Sequence, residues 1–196
     1  MDERPSNRHE KRKRRTRRRI TRAVIELVLE KGYDTVTIDD ITERADVGRG
    51  TFYVHFHNKE DAVWGAQYDG FKELEIELEA SYEPGSPRNL YRAWLAIFTY
   101  AGDHRDLFDV LLSGKGSAML TERVESFLVE RTLTGIREGV YDFNTDLPDR
   151  FVAEYAVGAL TRVLSWWLQH DDAPPAAMAD LMYRMTVGLE PPRPAA

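Results

Sequence analysis

Apolar residues recur along this chain at helical spacing, and no stretch alternates as a strand would. Ile20, Ala23, Val24, Leu27 and Val28 fall at i, i+3, i+4, i+7 and i+8. That spacing predicts a first helix beginning near Thr16, with Gly32 as its C-terminal stop. Thr37 ahead of Ile38, Asp39, Asp40 and Ile41 predicts a second, capped helix of about two turns ending near Arg44. The run Ala45, Asp46, Val47, Gly48 interrupts it. Aspartate tolerates the left-handed backbone of a tight turn, and Gly48 opens a third helix from Arg49 to about Val54. Asn58 caps a long fourth helix reaching about Ser81, with Glu60 and Asp61 in its first turn. Gly65 and Gly70 inside it mark either a bend or the close approach of another helix. Five more helices follow at about 88–101, 103–113, 117–138, 149–170 and 174–189.

The pattern predicts an all-α protein of about nine helices. Residues 1–15 form a basic flexible arm, 16–57 a compact three-helix head, and 58–196 a larger helical body. The 196 residues, 42% of them hydrophobic, suffice for a buried core. The chain holds no cysteine, which excludes disulfides, thiolate metal sites and cysteine nucleophiles. No apolar run is long enough for a membrane span and no signal peptide is evident, so the expected place is the cytoplasm, without membrane contact.

The net charge of −6 conceals an asymmetry: residues 1–60 carry +4 and residues 61–196 carry −10. Eight of the nine positions from Lys11 to Arg19 are basic. Such a density condenses onto polyanions, although a solvated tail is also compatible with it. Arg12, Arg14 and Arg15 in particular can track phosphates or enter an A·T-rich minor groove.

Enzyme chemistry finds little support. The five histidines lack zinc-hydrolase spacing, and the chain has no phosphate loop, nucleophile elbow or dinucleotide fingerprint. No cofactor or metal is expected.

Arg19-Ile20-x-x-Ala23, Gly32-Tyr33-Asp34, Thr35-Val36-Thr37-Ile38-x-x-Ile41, Ala45-x-Val47 and Gly50-Thr51-Phe52-Tyr53-x-His55-Phe56-x-Asn58-Lys59-Glu60-Asp61 together resemble the DNA-binding head of the TetR family of repressors. The Leu111-Leu112-Ser113-Gly114-Lys115-Gly116 segment and Trp166-Trp167-Leu168 are similar to one subgroup of TetR regulatory domains. The resemblance implies a helix-turn-helix whose second helix enters the major groove of double-stranded DNA. Arg49 is then the reader, its planar fork matching guanine O6 and N7, with Gly48 and Gly50 allowing close approach. Thr51 offers a hydroxyl to phosphate or a methyl to thymine. Tyr53 and His55 reach phosphate if Phe52 and Phe56 pack inward, and Thr37 faces the same strand. Lys59 and its helix N-terminus make a further anion site. Two departures stand out. Asp46 brings a negative charge toward DNA, and Gly48 replaces a side-chain cap.

The resemblance also implies a homodimer and an effector pocket in the body. The two apolar helices near the C-terminus supply the dimer surface through Phe151, Tyr155, Val163, Leu164, Trp167, Met178, Leu181, Met182 and Met185, if burial within one subunit does not account for them. Phe71, Trp94, Phe98, Phe108, Leu111, Met119, Phe127 and Trp166 are the pocket candidates, which points to an unidentified apolar or aromatic small molecule, although each residue alone is compatible with simple packing. The favoured function is a ligand-released, homodimeric repressor on a palindromic operator. A sequence-tolerant DNA-coating protein using the basic arm is the alternative, and an all-α ligand carrier or enzyme a third.

Overall fold

A computed structural model of the chain describes residues 6–80, 82–112, 117–170 and 173–188. Among these residues the secondary structure is wholly helical. Helix α1 (Ser6–Lys31) is followed by a single 3-10 turn at Tyr33–Thr35, then α2 (Ile38–Arg44) and α3 (Arg49–His55). The body comprises α4 (Lys59–Ala80), α5 (Arg88–Asp103), α6 (Arg105–Leu112), α7 (Ala118–Arg137), α8 (Asp149–His170) and α9 (Pro175–Val187).

The largest departure from the sequence reading lies at the start. Helix α1 begins at Ser6 rather than near Thr16, so residues 6–15 extend the helix instead of forming an arm without structure. Arginine and lysine are good helix formers, and like charges one turn apart cost only a few tenths of a kcal/mol each. The apolar half of α1 supplies the anchor that the basic half lacks: Ile20, Val24, Leu27 and Val28 are buried against Ile41, Ala45, Phe52 and Phe56.

Local chemistry fixes the head as the sequence suggests. Gly32 takes φ 82° and ends α1. Thr37 and Asp40 close a reciprocal cap: Thr37 Oγ1 accepts from the Asp40 N–H at 3.2 Å, and Asp40 Oδ2 accepts from the Thr37 N–H at 2.7 Å. Lys31 joins the Asp40 carboxylate at 2.8 Å. The lysine and threonine partners hold that carboxyl well below the usual range. Asp46 adopts φ 48° in the turn between α2 and α3, as a residue there must.

Helix α1 packs on α2, α4 and α6, while α5 pairs with α9 and α7 with α8. One apolar core runs from the head into the body, and Val129, Leu133, Ala153 and Val157 make a smaller cluster sealing α7 against α8. Gly65 answers to close approach: a Cβ there would stand 2.5 Å from Phe56 Cε1 and 2.8 Å from Arg17 Nη2. The surroundings of Gly70, Ser81, the loop signature at 113–116 and Leu189 lie outside the described residues. Among the described residues no helix is long and apolar enough to cross a membrane.

Candidate nucleic-acid interface and ligand cavity

Helix α3 divides cleanly into two faces. Phe52 and Phe56 turn inward, their rings 6.0 Å apart, while Gly48, Arg49, Gly50, Thr51 and Tyr53 are exposed. Arg49 is not bare: its Nη1 donates to both carboxylate oxygens of Asp39, at 2.9 and 3.0 Å. The Tyr53 phenol, one turn on, and Asp39 together raise the guanidinium pKa. Asp46 is likewise neutralised, because Arg19 Nη2 donates to its Oδ2 at 2.8 Å and to its carbonyl at 3.0 Å. The charge it brings to this surface therefore arrives paired.

His55 is half-buried, and burial first, then Lys13 and Arg17 of α1, push its pKa down. The basic stretch of α1 thus runs beside the end of α3. Arg12, Arg14 and Arg15 are exposed there, with Arg14 also bordering a groove between α1 and the body. Thr37 is exposed, though its hydroxyl also donates to Asp40 at 2.6 Å.

Lys59 corrects the sequence reading. Its ammonium points inward, donating to the carbonyls of Tyr33 at 2.6 Å and Val36 at 3.1 Å, and sits 4.2 Å from the Tyr33 ring centroid. These two carbonyls around the 3-10 turn claim the charge, so Lys59 ties α4 to the head rather than reaching out for phosphate.

In the body, α4, α5, α7 and α8 enclose a cavity of about 340 Å³. Phe71, Trp94 and Phe127 form much of its apolar wall, together with Leu90, Phe143 and Leu160. Phe127 stacks on Phe71 at 5.6 Å and meets Trp64 and Tyr68 edge-on at 5.6 and 5.8 Å, all three on α4. Arg131 pairs with Glu75 at the wall, near the Tyr141 phenol, whose pKa burial pushes up. The backbone of Gly135 lies against the Tyr141 ring, leaving no room for a Cβ. The Trp94 indole N–H is buried and meets no acceptor among the described residues.

Against known proteins, the pattern described as bacterial regulatory proteins, TetR family, matches residues 20–62, and that of a transcriptional regulator C-terminal region matches residues 88–188. The chain belongs to the TetR family. The head, which holds the match at residues 20–62, is the family's helix-turn-helix. Among TetR relatives, AcrR of Shigella flexneri is 31% identical over 80 residues, 39% of this chain and 37% of that protein. The chain spans less than half the length of the first curated relatives it matches. A TetR-family regulator from Syntrophomonas wolfei shares the fold at TM-score 0.73 and 22% identity, over 89% of this chain and 96% of that one. FadR from Bacillus subtilis, solved in complex with stearoyl-CoA, does so at TM-score 0.64 and 18% identity, over 86% and 96%.

Of the pocket residues expected for this TetR body, only Phe71, Trp94 and Phe127 line the cavity. Phe98, Phe108 and Leu111 are buried in the core between helices, and Met119 and Trp166 lie on the surface. Period alone cannot separate a residue facing a neighbour from one facing a void. Arg131, Glu75 and Tyr141 escaped notice because they read as ordinary polar helix and loop positions.

The C-terminal helices need the same correction. Leu164, Trp167, Met178 and Met182 are buried within the subunit, and Val163 is half-buried. Trp167 meets Phe98 edge-on at 5.4 Å and donates its indole N–H to the Ala173 carbonyl at 2.9 Å. What remains exposed is Phe151 (59%), Tyr155 (56%) and Trp166 (45%) on α8, and Leu181 (52%) and Met185 (75%) on α9.

Proposed function

We propose that this chain works as a homodimeric repressor of a palindromic operator and lets go of DNA when an apolar or aromatic small molecule enters the cavity of the body. The observation that carries the reading is the placement of Phe127: one ring lines the cavity and also packs on three aromatic residues of α4, the helix that continues directly from the head. One turn earlier on α7, Arg123 pairs with Asp61 at 3.2 Å and lies 4.7 Å over Trp64, both in the first two turns of α4. A ligand that favours one placement of α7 thereby favours one placement of α4 and of the head, which is the differential affinity that release requires.

A single head reads about one turn of groove, so a pair is needed for useful specificity. The exposed apolar faces of α8 and α9 offer the surface for a second copy, since five large apolar side chains left in water invite burial. Within the head, Arg49 reads guanine, and Thr37, Thr51, Tyr53 and His55 hold the phosphates, with Gly48 and Gly50 bringing the backbone close. Arg12, Arg14 and Arg15 add charge without sequence preference. The complex of FadR with stearoyl-CoA adds acyl chains to the ligands worth testing.

The test begins with selection of operator sites from random DNA by the full chain, followed by mobility shift with apolar compounds and acyl-CoAs. Arg49→Ala should cost about 1–3 kcal/mol on the selected operator and relax the preference at one position per half-site. Equal losses on operator and random DNA would reduce Arg49 to a phosphate contact. Failure to select any site would leave the DNA-coating alternative in its place.

A further inference from the structure

We propose that Asp39 is a specificity-determining positioning residue: it holds the Arg49 guanidinium by Nη1 and so presents the opposite edge to a base. The inference rests on the reading of Arg49 as the guanine contact.

Three observations converge. First, both oxygens of Asp39 accept from the one nitrogen Nη1, at 2.9 and 3.0 Å, so the bond leaves Nε and Nη2, which form the side-on edge of the fork, outside the carboxylate. Second, the pair bridges α2 and α3 at the exposed face of the turn, with side chains 59% and 69% accessible. An ion pair so wet contributes little to folding, and what the start of α2 gains from an acid in its first turn does not depend on holding an arginine. Third, a carboxylate on a DNA-facing surface is repelled by phosphate, so it lowers affinity for DNA of any sequence unless the arginine it holds gains on a particular base. Asp46 is different, because its partner Arg19 also takes its backbone carbonyl and so braces the turn.

A free arginine side chain samples many rotamers and gives up affinity to order itself on a base. Held at one nitrogen, the fork arrives already turned. It is also kept from the phosphates, where a loose arginine would bind any sequence equally well. Asp39 thus exchanges unspecific affinity for discrimination, which is the repulsive half of specificity.

The experiment measures operator and random-DNA affinity for the full chain carrying Asp39→Asn, Arg49→Ala or both, with site selection for each and thermal unfolding as a check on the fold. For Asp39→Asn the proposal expects tighter binding to random DNA, an operator-over-random ratio about ten-fold lower, and the preference relaxed at the same base pair that Arg49→Ala relaxes. The double variant should lose no more there than Arg49→Ala alone. If Arg49→Ala relaxes one base pair while Asp39→Asn keeps full discrimination, the proposal fails and the reading of Arg49 stands. If Arg49→Ala relaxes none, the reading itself fails and takes this inference with it. Uniform weakening on all DNA with a lowered unfolding temperature would make Asp39 a structural residue and also overturn the proposal.

Discussion

Gly65→Ala sets helix propensity against packing at one atom. Within a 22-residue helix, alanine is favoured over glycine by about 1 kcal/mol, and the sequence alone recommends the change. The structure points the other way. The added methyl would lie 2.5 Å from Phe56 Cε1, 3.2 Å from Phe56 Cζ and 2.8 Å from Arg17 Nη2, where ordinary carbon contacts begin near 3.5 Å. Arg17 can swing away, at the expense of its position 4.6 Å over the Phe56 ring. Phe56 cannot: it is 4% exposed and wedged against Phe52. Clearing the clash means moving a buried ring by about 1 Å, which costs about 1–3 kcal/mol. Less the propensity gain, Gly65→Ala should destabilise by up to about 2 kcal/mol and lower Tm by about 2–4 °C per kcal/mol for a chain of this size. Because Phe56 joins α3 to α4, operator affinity should fall by more than the stability loss explains. Thermal unfolding and mobility shift of the same preparation measure both. A Tm at or above that of the wild type, with unchanged operator affinity, would refute the packing argument.

Three other outcomes are expected. Tyr155→Asp and Met185→Asp should leave the subunit folded, since both side chains are exposed in the single chain, yet should yield monomers in sedimentation and remove tight operator binding, because an unpaired carboxylate in an interface costs several kcal/mol. A wild type that sediments as a monomer on a palindromic site would end the dimer reading. The His55 pKa is lowered from the usual histidine value in the free protein, and phosphate would raise it on binding, so the imidazole takes up a proton when DNA binds. Operator affinity should therefore rise as pH falls from about 7.5 to 6, with the slope reduced in His55→Gln. Folding carries the opposite sign: the stability linked to this neutral imidazole is full above the unfolded value and is lost as pH falls from there through the lower folded value. Replacing Arg12, Arg14 and Arg15 with alanine should flatten the salt dependence of binding by about 0.9 for each phosphate no longer neutralised and leave the selected sequence unaltered. An unchanged slope means that this stretch of α1 does not touch DNA.

The head was legible because its determinants are local. The Thr37 cap with Asp40, the left-handed Asp46 and the inward pair Phe52 and Phe56 each depend on neighbours within a few residues, and periodicity registers such relations directly. Helix count and type, the basic end and the family motif come from the same short-range information. Tertiary structure decided the rest, because the partners lie far apart in sequence. Lys59 reads as a free cation until α4 is laid against the carbonyls of Tyr33 and Val36. Asp39 reads as a first-turn acid until the turn brings Arg49 to it, ten residues on. Aromatic residues at equivalent helical spacing divide into cavity wall, core and surface only once each neighbouring helix is in place, which is why Phe127, Phe98 and Trp166 looked alike in the sequence. Residues 6–15 show the same limit from the other side: a stretch with no apolar face has no pattern to read, and it becomes helical because the buried half of α1 nucleates it.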